Sequence, residues 1–165
     1  MSTSGKVSPA KPANSRAMTI KNFEHLAEVL KEQGKLLESE DLYRNAVIGK
    51  EKVFGPNHPE TLDAKHSLAL IFEAERKFED AEDMYKQVIM VREMMLGPNN
   101  PSTCCSKFCY ADMIRKLGRK KEALGLFQQS FDGYNESLGP EHKNTKLAKK
   151  RIKAVEKEMH SCPIL

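Results

Sequence analysis

Apolar positions in this chain recur three and four residues apart, the spacing of one face of a helix, and they do so in pairs of segments separated by short polar turns. In the stretch after Pro59, Leu62, Leu68, Ala69 and Phe72 share one face, and Ala81, Met84, Tyr85, Val88 and Ile89 mark a second helix. Gly34 and Gly118 stand in the turns of the flanking pairs, where a residue with positive φ ends a helix; Arg76 holds the same place in the middle pair. Small residues at Ala27, Ala69 and Ala111, and again at Ala81 and Ala123, let paired helices approach closely.

The pattern repeats at a fixed interval. Leu96-Gly97-Pro98 returns 42 residues on as Leu138-Gly139-Pro140 and is anticipated by Phe54-Gly55-Pro56. The same offset aligns Leu26-Ala27 with Leu68-Ala69 and Tyr110-Ala111, Leu30 with Phe72 and Ile114, and Tyr43 with Tyr85 and Phe127. Past Gly139 the repeat decays: Lys143 replaces Pro59 and Pro101, and Lys153 replaces the close-packing alanine. One more helix is predicted, roughly Asn144 to Met159, with Ala148, Ile152, Val155 and Met159 on one stripe; a polar-backed terminal helix is what closes a repeat stack.

The small and aromatic positions Ala69, Phe72, Ala81 and Tyr85, with the link from Gly55 to Thr61 (Gly-Pro-Asn-His-Pro-x-Thr), resemble the tetratricopeptide repeat, in the longer form found in kinesin light chains. The resemblance covers about residues 18 to 145. It implies an all-α fold, a right-handed superhelical stack of helix-turn-helix repeats with a C-terminal capping helix. The expected organisation is a disordered tail over 1–17, repeats over 18–54, 55–96 and 97–138, the capping helix over 139–160, and a short tail over 161–165. The resemblance also implies binding of other proteins. The position before the Leu-Ala pair, typically Asn in kinesin light chains, is His25, Ser67 and Cys109 here, a departure from the peptide-engaging residue of that family.

The first helix of each repeat should line an inner groove. The positions expected to face it are Lys21, Glu24, His25 and Glu28, then Asp63, His66, Ser67 and Leu70, then Cys105, Phe108, Cys109 and Asp112. Leu70 and Phe108 are the apolar anchors for a peptide or helix of a protein partner, and His66 and Asp112 the polar ones. Packing of Phe108 against its own neighbours is the competing reading.

Composition narrows the chemistry. The 165 residues carry 39% hydrophobic side chains and no Trp, which fits stacked helices with a thin core. The net charge of +4 is unevenly spread. Lys6, Lys11 and Arg16 precede the expected first helix, and a second basic concentration includes Lys146, Lys149, Lys150, Arg151, Lys153 and Lys157. Such a face suits an anionic partner, a phospholipid surface or an acidic peptide, or is simply solvated; without a finger, homeodomain or RNA-binding signature, nucleic acid is not expected. Residues 1–17 have no apolar run and read as neither a signal peptide nor a membrane span.

Four cysteines, three of them at Cys104, Cys105 and Cys109, are not spread as a secreted disulfide framework, which favours the reducing cytoplasm. Cys104 aligns with Leu62 and reads as core. Cys105 and Cys109 share a helical face, but no C-x-x-C pair accompanies them and no His lies nearby in sequence, so neither a metal nor another cofactor is expected. His58 and His142, with Asn100 at the same phase, read as turn or capping residues. No phosphate loop, H-E-x-x-H pair or G-x-S-x-G elbow occurs, so no catalytic residue is proposed and the chain reads as an adaptor, not an enzyme. The terminal Cys162-Pro163-Ile164-Leu165 fits the C-a-a-X prenylation pattern, and the preceding basic helix would be the second signal of a peripheral membrane anchor. Self-association through the two ends of so short a stack is a further expectation.

Overall fold

The computed structural model describes residues 13–160, with side chains from Thr19 onward. Seven helices occur among them: α1 (Ala13–Glu32), α2 (Leu36–Phe54), α3 (Pro59–Ala74), α4 (Phe78–Leu96), α5 (Pro101–Lys116), α6 (Lys120–Leu138) and α7 (Lys143–His160). No described residue is in a strand, so the fold is an all-α helical repeat. The chain divides inside α3, between Ala64 and Lys65, into two compact units.

The helix starts and stops follow from the link residues. Gly55, Gly97 and Gly139 adopt positive φ and end α2, α4 and α6. One repeat position then accepts from the next helix's first turn: His58 Nδ1 from the Glu60 amide at 3.2 Å, Asn100 Oδ1 from Ser102 at 2.9 Å, and His142 Nδ1 from Asn144 at 3.2 Å. Thr61 and Thr145 return their hydroxyls to the carbonyls of Gly55 and Gly139, each at 2.8 Å. The turn within each pair closes with a six-to-one hydrogen bond, Lys35 to Leu30, Lys77 to Phe72 and Arg119 to Ile114. Gly34 and Gly118 provide the left-handed residue there, and Arg76 adopts it at φ 63°.

In the first unit Ala27 and Ala46 are fully buried, and the Ser39 hydroxyl donates to the Ala27 carbonyl at 2.7 Å, so α1 and α2 meet closely. In the second unit Ala69, Ala81, Ala111 and Ala123 are likewise fully enclosed, with Tyr85, Met113, Ile114 and Phe127 filling the spaces between helices. Cys104 is core, as its alignment with Leu62 required, and it packs with Tyr134 and Ala148. Gly133 makes that contact close enough that an added Cβ would lie 2.4 Å from the Cys104 sulfur. Helix α7 lies on α6 through buried Ala148 and Val155, with Ile152 and Met159 half-buried beside them.

One expected boundary differs. Helix α1 begins at Ala13, inside the stretch expected to be a tail, because Ala13, Arg16 and Ala17 favour helix and neither Pro nor Gly follows Pro12 until Gly34. The preceding residues, and the prenylation motif at Cys162, lie outside the described residues. No described helix is long and apolar enough to cross a membrane.

Candidate functional site

The expected groove residues fall in both units and are described separately. In the first, α1 carries Lys21 and His25 on its exposed face, with Glu24 and Glu28 half-buried, and Asp63 is exposed on α3. Glu24 is not free: Lys50 of α2 reaches it at 2.7 Å and also meets Glu60 at 3.1 Å. Burial of Lys50 works against its charge, but the two carboxylates outweigh that loss and raise its pKa. Glu28 accepts from Lys31 and from the Tyr43 hydroxyl, and the Lys31 hydrogen bond keeps its carboxyl below the usual range. The first unit therefore offers a mostly self-neutralised polar face.

The second unit differs. His66, Ser67 and Leu70 on α3 are half-buried, as are Phe108, Cys109 and Asp112 on α5, and Cys105 is exposed. Position 92, one repeat after Lys50, is a buried arginine whose guanidinium donates to the Ser102 carbonyl at 2.9 Å and to the Ser106 hydroxyl at 2.6 Å. Ser106 in turn lies 3.3 Å from His66 Nδ1. The His66 ring stands edge-on to Tyr85, with centroids 5.7 Å apart. Arg92, Ser106 and Tyr85 thus fix where the imidazole sits. Its neighbours are the two α5 sulfurs: the ligand atoms of His66, Cys105 and Cys109 all lie within 4.8 Å of one another. Cys109, His66 and the Tyr134 hydroxyl all hydrogen-bond to Cys105 and pull its pKa below that of an ordinary thiol. Cys109 is pushed up by facing that sulfur and by burial.

The histidine missing from the local sequence around the cysteines is supplied by α3. The sequence places all three residues on one inner face, but the lack of a C-x-x-C pair and the chain distance to His66 both argue there against a cluster. Two other groove residues are already engaged. Phe108 packs edge-on against Phe127 at 5.1 Å and borders the Cys104 cluster, so the competing packing role is real for part of its ring. Asp112 meets Lys116 at 3.2 Å, Arg115 at 3.4 Å and Arg151 of α7 at 3.7 Å, and is no longer an open polar anchor. Among the predicted basic residues, Lys146, Lys149, Lys150, Lys153 and Lys157 are exposed and Arg151 is half-buried; Lys146 pairs with Glu141 at 2.6 Å.

Profiles described as tetratricopeptide repeat match residues 16–94 and 111–143, together most of the chain. The chain belongs to the tetratricopeptide repeat family. Its repeats share their fold with a Podosopora anserina protein described as a kinesin light chain with nearly identical TPR-like repeats, at a TM-score of 0.77 and 21% identity over 87% of this chain and 68% of that one. A single-substitution variant of that protein gives a TM-score of 0.76 at 21% identity, over 85% of this chain and 66% of that one. BtubC (BKLC) from P. vanneervenii aligns with a TM-score of 0.65 at 13% identity, over 91% of this chain and 68% of that one. This tetratricopeptide chain spans about two thirds of each of these structures. No curated protein sequence matches it. Tetratricopeptide repeats are protein-interaction scaffolds, which gives the chain its broad functional class.

Proposed function

We propose that the chain is an adaptor that holds a short peptide or helix of a partner protein on the face formed by α3 and α5 of the second unit. The observation that carries this reading is the half-exposure of Leu70 beside His66 and Ser67: an apolar side chain outside the core, with polar groups in the turn before it. Phe108 extends the apolar surface by the part of its ring that Phe127 leaves uncovered. Arg92 and Tyr85 hold His66 still, so little ordering entropy is lost when a ligand contacts it. Asp112 contributes indirectly, by anchoring Lys116 and Arg115 at the rim.

The test is a peptide-display selection on the full chain, followed by affinity measurement against wild type and Leu70→Glu. Because Leu70 is only half-buried, the variant is expected to keep its helical circular dichroism while losing at least about tenfold in affinity, or roughly 1.4 kcal/mol. Selected peptides that bind both proteins equally would move the site off this face.

A further inference from the structure

We infer that His66, Cys105 and Cys109 form a binding site for zinc. The inference shares His66 with the adaptor reading but does not depend on it, since its readout involves no peptide.

The donors come from two helices. Cys105 and Cys109 are one turn apart on α5, so both sulfurs project to the same side, and α3 brings the imidazole to them; all three ligand atoms fall within 4.8 Å. Tetrahedral zinc, with bonds of about 2.3 Å to sulfur and about 2.0 Å to nitrogen, sets its ligand atoms roughly 3.5–3.8 Å apart. Small side-chain rotations close the difference. Two sulfurs and an imidazole are also the donor types that zinc prefers over the hard cations, which take oxygen.

The surroundings are those of a supported site. Zinc-ligating imidazoles commonly use their second nitrogen for an outer hydrogen bond, and here Ser106 Oγ lies 3.3 Å from Nδ1, leaving Nε2 for the metal. Arg92 secures Ser106 in turn, at 2.6 Å. The Tyr134 hydroxyl donates to Cys105, an interaction that persists to a coordinated thiolate. Cys105 is exposed and the other two ligands are half-buried, so an ion has a way in. The nearby carboxylates are occupied: Glu73 accepts from Lys116 at 2.9 Å, and Asp112 is held by its own cations. Water therefore fills the fourth position. On binding, two sulfur–zinc bonds and one nitrogen–zinc bond form as the ion sheds hydration waters, any proton still on the two sulfurs passes to solvent, and the imidazole keeps its proton on Nδ1; no oxidant or reductant is needed.

Zinc titration of the reduced full chain against a chromophoric chelator, with cobalt substitution as a spectroscopic check, tests the site. One zinc per chain is expected, with a thiolate-to-cobalt charge-transfer band. Cys105→Ser, Cys109→Ser and His66→Gln should each weaken binding at least about tenfold, and Cys162→Ser should not alter it. Circular dichroism of the same samples excludes misfolding as the cause, and exposed Cys105 provides the variant least able to perturb the core. No stoichiometric zinc would overturn the inference. So would binding that survives His66→Gln, which would mean adventitious thiol capture, or binding that disappears with Cys162→Ser.

Discussion

Arg76 is the residue at which the repeat departs most visibly from its own rule. It adopts φ 63° where Gly34 and Gly118 serve in the other two turns. A Cβ in the left-handed region costs about 1–2 kcal/mol, and the greater freedom of glycine in the unfolded chain takes back about 0.4–1 kcal/mol of any gain. Arg76 is exposed. Arg76→Gly is therefore expected to stabilise the protein by roughly 0.5–1 kcal/mol, a rise of about 1–4 °C in Tm. A melting temperature that falls in the variant would mean that the arginine side chain makes a contact worth more than the strain. At the same scale, Thr103 occupies the repeat position of Thr61 and Thr145, yet its buried hydroxyl has no hydrogen-bond partner.

Between elements of the second unit, one carboxylate gathers several partners. Glu82, near the start of α4, accepts from Arg119 at 2.6 and 3.1 Å, from the Tyr110 hydroxyl of α5 at 2.8 Å, and from Lys86 at 2.6 Å. The Arg119 hydrogen bonds lead in holding its pKa at about 2, below its ordinary 4.5. A depressed carboxylate stabilises the fold above its unfolded pKa and loses that contribution as pH falls toward the folded value. Glu82→Gln should therefore lower Tm by a few degrees at pH 7, and the gap from wild type should narrow from about pH 4.5 down to about 2. Parallel melts across that range decide it; a gap independent of pH would assign the loss to packing. This element-level wiring is where the sequence was least legible. The 42-residue period located the helices, their turns and Cys104 in the core, because those depend on spacing along one chain segment. It could not show that Arg151 of α7 would reach Asp112, or that His66 would close on Cys105 and Cys109. Both depend on which rotamers meet across helices, and a repeat period leaves that open.

At the scale of the molecule, the two units and the terminal helix make a distinct prediction about cooperativity. Helix α7 has alternating apolar and basic faces, and its buried face is narrow: Thr145, Ala148 and Val155, with Val155 fully enclosed. Half-buried Ile152 and Met159 flank that face, and polar ties to α5 and α6 include Arg115 to Glu158 at 2.8 Å, Lys120 to the Glu158 carbonyl at 3.3 Å and Arg151 to Asp112 at 3.7 Å. Aspartate at 155 would place an unpaired charge in that seam, at a cost of several kcal/mol that such polar ties cannot offset. Val155→Asp is thus expected to release α7, uncover the Cys104–Tyr134–Ala148 cluster and drive concentration-dependent association in sedimentation experiments, as loss of a terminal cap does in a repeat stack. Because repeat proteins propagate stability mainly between neighbours, hydrogen exchange should accelerate in α6 and α7 far more than in α1 and α2, which belong to the other unit. Equal acceleration in both units would mean that the chain unfolds as a single cooperative body, and that α7 stabilises every repeat and not the adjacent one alone.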